Sequence, residues 1–133
     1  MIAYVREHPL LFRALFAVYA LALVVATHWP RLTVPGAARG SDKVLHFVAF
    51  FLWASSAYAA GFFGPALSRR SVARTTLLAA GYGLLDESLQ LIPALERQAS
   101  VGDGIVNLGG VAAAYALALI LIRPKSDETV NSV

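Results

Sequence analysis

The chain has 133 residues, of which 58% are hydrophobic and only 14% are charged, and its mean hydropathy is +0.64. A soluble domain usually carries about 25% charged residues, so this composition excludes an ordinary soluble protein and predicts an integral membrane protein. Cysteine is absent, which excludes disulfides and thiolate chemistry. The net charge of +3 comes from scattered residues rather than a basic tract, so we expect no nucleic-acid partner.

Four apolar stretches, at about 10–29, 43–64, 71–92 and 101–122, approach or exceed the roughly 17–25 residues that span a bilayer. The first is too long for the apolar region of a signal peptide and is not followed by a small-x-small cleavage pattern, so we expect it to be retained. A short polar lead precedes it, and the connections between stretches are short. The sequence therefore predicts a single all-α domain over 1–133, a four-helix transmembrane bundle in the lipid bilayer.

Polar residues and prolines mark the ends of these helices. Ser41 and Asp42 are good N-cap residues for the second helix, and Ser100 followed by Asp103 is an N-terminal signature for the fourth. The third helix is expected to start near Ser71 and to stop at Pro93. Seven Lys and Arg residues fall on the side of the two termini and four on the other side. This asymmetry predicts that both termini are cytoplasmic.

Ionisable residues at the predicted outer end are the most informative feature of the chain. Asp86 and Glu87 interrupt an apolar run, where a charged residue costs roughly 2.5–3.5 kcal/mol on insertion scales, so they either lie in water at the helix end or face a polar cavity. The predicted topology brings polar residues of three helices and one loop into the same layer. These candidate binding residues are Lys43, His46, Asp86, Glu87, Gln90, Arg97, Ser100, Asp103 and Asn107.

The spacing of these residues resembles a known family. Lys43-x-x-His46-x-x-x-Phe50, Asp86-Glu87-x-x-Gln90 and Arg97-x-x-Ser100-x-x-Asp103-x-x-x-Asn107-x-x-Gly110 together are similar to the motif of the VanZ-like family, over roughly 41–114. The resemblance implies a multi-pass protein of the bacterial cytoplasmic membrane, in the cell envelope, linked to glycopeptide resistance of the teicoplanin type. Glu96 stands where the family pattern has a glycine, and Ala114 stands at a second small position.

Three functions remain open from the sequence. The first is binding of an anionic lipid or cell-wall precursor head group, because Lys43, Arg97 and two helix N-termini favour an anion at the outer leaflet. The second is a membrane enzyme with Glu87 or His46 as general acid or base. A variant of it binds a hard divalent cation through Asp86, Glu87, Asp103 and Asn107, although no metal or cofactor is assigned.

The third function is a structural subunit of a larger membrane complex. In that case the polar cluster is an interhelical network in which Asp86 or Glu87 pairs with Lys43 or Arg97. Such pairs would lock three helices together and offset the cost of inserting the carboxylates, without any chemistry.

Overall fold

A computed structural model describes residues 1–28, 41–90, 92 and 100–122, and all regular secondary structure in these residues is helical. The four long helices follow from long apolar runs, which satisfy their backbone groups internally. A short helix also lies in the polar lead, where the sequence predicted no element. The helices are α1 (Ile2–Glu7), α2 (Pro9–His28), α3 (Ser41–Ala60), α4 (Arg69–Leu89) and α5 (Val101–Leu121).

Three helices in the described part of the chain are long and apolar enough to cross a membrane. They are Pro9–His28, Asp42–Ala60 and Val101–Leu121. Helix α4 is as long as α5 but carries three arginines near its start and two acids near its end, and it does not reach the same apolar character. The structure thus gives three membrane-capable helices where the sequence predicted four.

Helix α3 lies at the centre and contacts α2, α4 and α5, most extensively α5. The Tyr19 hydroxyl donates to the carbonyl of Ala49, at 2.9 Å, and Arg13 reaches Ala60, so α2 and α3 run in opposite directions. Asn107 reaches Gly83 on α4, which runs opposite to α5. Lys43 contacts Asp103 and His46 contacts Asn107, so α3 and α5 run in the same direction and their N-termini lie at the same end of the bundle.

A glycine permits the close approach of α5 to α3. A Cβ at Gly110 would overlap the backbone carbonyl of Phe47 and would lie 2.9 Å from the backbone nitrogen of Phe51. Small residues allow helix backbones to approach closely in lipid, where apolar burial gives little drive for association. Gly110 therefore sets the distance between α3 and α5 and so the spacing of the polar residues at their N-termini.

The arginines at the opposite end bond to backbone rather than only reaching for the membrane surface. Arg13 donates through Nε to the Ala60 carbonyl at 3.2 Å, and Arg6 donates through Nε to the Ala66 carbonyl at 2.9 Å. The Ala60 carbonyl is one of the last in α3 and has no partner within the helix. Gly61 ends α3 with a φ of +62°, the left-handed region that glycine adopts without strain.

Several helix boundaries differ from the sequence prediction, and α4 for example ends at Leu89 rather than near 92. Helix α3 ends at Ala60 rather than near 64, because Gly61 turns the chain. Helix α4 begins at Arg69 rather than Ser71, because the Ser68 hydroxyl accepts a hydrogen bond from the Ser71 backbone nitrogen and acts as the N-cap. The predicted stop at Pro93 lies outside the described residues.

Candidate functional site

The C-termini of α2 and α4 and the N-termini of α3 and α5 form one end of the bundle, which we call the polar end. The predicted site residues on α3, α4 and α5, and Ser100 before α5, all belong to this end. Arg97 lies outside the described residues, so its predicted role stays a prediction. The polar end is not one hydrogen-bonded cluster, because its side chains divide into separate bonded groups, one between α2 and α4, one between α4 and α5, and two that join α3 to α5.

Asp86 is fully buried between α4 and α2. The Thr27 hydroxyl donates to its Oδ1 at 2.8 Å, and the Gln90 amide donates to its Oδ2 at 3.4 Å. His28 Nδ1 lies 3.8 Å from Oδ1. Of the two placements that the sequence left open, the structure gives the buried one. The structural alternative paired Asp86 with Lys43 or Arg97, but its partners among the described residues are Thr27 and Gln90.

Glu87 faces the N-terminus of α5 and is 8% exposed. Its Oε1 accepts a hydrogen bond from the backbone nitrogen of Ser100, which is the N-cap residue of α5. Its Oε2 is buried and has no hydrogen-bond partner among the described residues. A buried carboxylate oxygen without a donor is costly, so this oxygen is the one most ready to accept a hydrogen bond from a ligand.

His46 and Asn107 form a hydrogen-bonded chain across α3, α5 and α4. His46 Nδ1 lies 3.0 Å from Asn107 Oδ1, and Asn107 Nδ2 donates to the Gly83 carbonyl at 3.4 Å. Because the amide nitrogen faces a carbonyl, the amide oxygen faces the imidazole, and Nδ1 must carry the proton. Asn107 is fully buried, and the chain joins three helices.

Lys43 pairs with Asp103 rather than with a carboxylate of α4. Its ammonium donates to Asp103 Oδ1 at 3.1 Å, while about half of its side chain is exposed. Ser100 is the N-cap residue of α5, but its hydroxyl makes no capping hydrogen bond. Its backbone nitrogen donates to the Glu87 carboxylate instead. Lys43 therefore joins α3 to α5, and it makes neither of the ion pairs with Asp86 or Glu87 that the structural alternative allowed.

A groove of about 430 Å³ lies between α4 and α5 beside Glu87. Ser88 and Ser100 add polar groups, and aliphatic side chains form the walls. His46 does not line it, so Glu87 and His46, the two residues of the enzyme hypothesis, do not converge on this space. The lining residues are Leu84, Glu87, Ser88, Ser100, Val101, Gly104, Ile105 and Leu108.

Three residues of the polar end were missed from the sequence. Thr27 and His28 close α2 beside Asp86, and Asp42 Oδ1 lies 3.8 Å from His46 Nε2. Asp42 was assigned only to helix capping. The predicted topology already placed the end of the first helix at the same end of the bundle as the candidate site residues. Its Thr27-His28 pair could therefore have been added to the candidates. Hydroxyls are common at helix ends, and nothing in the sequence distinguished this one.

Apolar helices of spanning length, together with buried polar groups that bond from helix to helix, define a helical membrane protein. The model of the VanZ/LLP1 family matches residues 8–122, which include all four long helices. The chain belongs to that family. Comparisons with curated proteins and with solved structures give no match.

Proposed function

We propose that the chain binds the head group of a lipid or a lipid-linked cell-wall precursor in the groove between α4 and α5. The observation that carries this proposal is the buried Oε2 of Glu87, which has no hydrogen-bond partner among the described residues and lies beside an open groove with aliphatic walls. A lipid with a polar head group matches such a surface. The head group can donate to the Glu87 carboxylate, while Leu84, Ile105 and Leu108 contact the apolar tail of the lipid.

The chemistry of the groove defines the head group. A carboxylate only accepts hydrogen bonds, so Glu87 selects hydroxyl, amide or ammonium donors. The anion-attracting N-terminus of α5 is already neutralised in part, because Glu87 accepts from Ser100 and Asp103 lies in the first turn. Lys43 remains the half-exposed cation of the described polar end. The proposed ligand therefore combines donors for Glu87 with an anionic group for Lys43, as lipid-linked sugar phosphates do.

We further propose a bacterial cytoplasmic membrane location with four passes, cytoplasmic termini and the polar end at the outer leaflet. The arginines of α4 lie near its start, its acids are buried near its end, and the segment between them is uncharged. This distribution lets α4 span the bilayer between α3 and α5 despite its lower hydropathy, because neighbouring helices cover its polar groups.

Membership of the VanZ/LLP1 family supports a role in tolerance of glycopeptides of the teicoplanin type. A protein that holds a lipid-linked precursor at the outer leaflet would act where such antibiotics meet their target. We expect expression of the chain in a susceptible host to raise the teicoplanin concentration needed to stop growth, and Glu87→Gln to abolish the increase at equal protein level.

Native mass spectrometry of the chain extracted from bacterial membranes tests the binding proposal. We expect a lipid adduct on the wild type and its loss in Glu87→Gln, because the amide keeps an acceptor for Ser100 but replaces the free charged acceptor. A hydrogen bond to a charged group is worth about 1.5–3 kcal/mol, so occupancy should fall roughly ten- to hundredfold. Glu7→Gln, an exposed acid on α1, is the matched control.

The interhelical bonds favour a second candidate, in which the polar end is purely architectural. Thr27–Asp86, His46–Asn107 and Lys43–Asp103 each join two helices. In that case the chain is a structural subunit of a larger complex, no lipid co-purifies, and Glu87→Gln lowers stability in detergent without a change in bound mass. An adduct that is retained in Glu87→Gln would also contradict the binding proposal.

A further inference from the structure

Three metal-ligating side chains meet where the N-termini of α3 and α5 lie side by side. Asp42 and His46 come from α3 and Asp103 comes from α5, and one potential ligand atom of each lies within 4.8 Å of the others. Asp42 is 69% exposed and Asp103 13% exposed at the side chain, so the group opens to solvent at the polar end. This group is distinct from the groove, which none of the three residues lines.

The hydrogen bond to Asn107 fixes which ring nitrogen of His46 carries the proton. Asn107 donates its amide to the Gly83 carbonyl, so its Oδ1 accepts from His46 Nδ1. Neutral His46 therefore carries a lone pair on Nε2. The residue is 9% exposed, and this nitrogen faces Asp42 Oδ1 at 3.8 Å, beyond hydrogen-bond distance.

A lone pair beside two carboxylates repels both of them unless a cation lies between. Two ligand atoms that bind the same tetrahedral Zn²⁺ at about 2.0–2.1 Å are roughly 3.4 Å apart. The separation of 3.8 Å between His46 Nε2 and Asp42 Oδ1 is close to that value. Metal-bound histidines almost always donate their other ring nitrogen to an acceptor, which Asn107 provides here.

We propose that Asp42, His46 and Asp103 bind a divalent transition-metal ion of the zinc class, with water in the remaining position. One imidazole nitrogen among the donors favours Zn²⁺ over Ca²⁺ and Mg²⁺, which prefer oxygen ligands alone. The site joins the first turns of α3 and α5. It differs from the divalent set considered from the sequence, because Asp86 and Asn107 are bonded to Thr27, Gln90, His46 and Gly83.

Lys43 opposes metal binding at this site. Its ammonium lies 3.1 Å from Asp103 Oδ1, so it competes with the ion for one ligand. About half of the side chain is exposed, and it can therefore move into water when the ion binds. Removing a cation at this distance is expected to strengthen binding of another cation about five- to tenfold at surface screening.

Isothermal titration of Zn²⁺ into the purified full chain in detergent tests the proposal, with Mg²⁺ and Ca²⁺ titrated in parallel. We expect saturation at a single Zn²⁺ per chain and much weaker binding of the other two ions. Asp42→Asn and His46→Gln should each weaken Zn²⁺ binding about tenfold or more, and Lys43→Gln should strengthen it. His8→Gln, an exposed histidine at the other end of α2, should bind as the wild type does.

Absence of saturable Zn²⁺ binding by the wild type overturns the proposal. So does Zn²⁺ binding that Asp42→Asn leaves unchanged, and this variant decides the question if His46→Gln does not fold, because Asp42 is exposed. Equal affinity for Ca²⁺ or Mg²⁺ would show a simple acidic cluster and exclude the imidazole as a ligand. Zn²⁺ binding that is unchanged or weaker in Lys43→Gln would exclude Asp103 as a ligand of the ion.

Discussion

Asp86 shows how a carboxylate is accommodated among apolar helices. The group is fully buried, and its two oxygens receive separate donors, the Thr27 hydroxyl from α2 and the Gln90 amide one turn later on α4. Truncation of one partner of a buried charge costs more than the pair contributes, because the remaining group cannot return to water. The Thr27 hydroxyl should therefore be a major determinant of stability at the polar end.

Two threonine-to-valine substitutions test this balance with the same chemical change. Thr27→Val removes a donor from buried Asp86 and should lower the free energy of unfolding by roughly 1–3 kcal/mol. Thr75→Val is the control, because Thr75 is fully buried and its hydroxyl has no hydrogen-bond partner among the described residues. We expect it to be neutral or stabilising by up to about 1 kcal/mol. Unfolding in mixed detergent micelles measures both, and equal losses would contradict the argument.

Charge and spacing pointed to the ends of α3, α4 and α5, but they missed Thr27, His28 and the contact of Asp42 with His46. Asp103 was expected there with Lys43, and the two are paired. One alternative from the sequence gave Asp86 a cation as its partner, but its partner is a hydroxyl on α2, which carried no candidate site residue. A single threonine at a helix end carries no periodic signal, and only the rotation of α2 against α4 decides whether it faces lipid or a carboxylate.

Contact between α3 and α5 depends on the absence of a side chain at Gly110. Gly110→Ala should drive the two helices apart and cost about 1–3 kcal/mol, because its Cβ would meet the backbone of α3 at Phe47 and Phe51. Gly109→Ala is the matched control, since its Cβ would lie 3.6 Å from the Phe47 ring, an ordinary contact. Thermal unfolding in detergent measures both variants. Alanine is favoured over glycine inside a helix, so a loss in Gly109→Ala as large as that in Gly110→Ala would contradict the argument from close approach.

The groove between α4 and α5 can be filled without a change in the helices. Ser88 is exposed and lines the groove, so Ser88→Trp should occupy the proposed head-group space and reduce bound lipid about tenfold or more, as native mass spectrometry measures it. Leu85→Trp places the same side chain at an exposed position of α4 that is not part of the groove lining. Equal lipid occupancy in the two variants would place the ligand elsewhere.

At the scale of the molecule, the absence of cysteine makes the membrane topology directly measurable. A cysteine at Asp42 reports the polar end, and one at Pro65 reports the turn between α3 and α4 at the other end. We expect a membrane-impermeant maleimide to label Asp42→Cys in intact cells and Pro65→Cys only after permeabilisation. The reverse pattern would invert the orientation that the positive residues predict.

The all-helical architecture followed from hydropathy, since long apolar runs in lipid leave few alternatives to helix. Whether α4 spans the membrane did not follow, because its sequence combines an uncharged middle segment with terminal charges and lacks the hydropathy of the three membrane-capable helices. Boundaries such as Ala60 and Arg69 depended on local turn chemistry at Gly61 and Ser68, which a hydropathy window does not register.

The location of the partners of α4 also bears on how the chain is made. Synthesis delivers Thr27 before Asp86, whereas the backbone partner of Glu87, at Ser100, emerges 13 residues later. If α4 spans the bilayer as proposed, its polar residues give it little tendency to pass by itself from the insertion machinery into the lipid. It should be retained there until α5 follows, and the two should then enter the bilayer together as a hairpin against the already inserted α2 and α3.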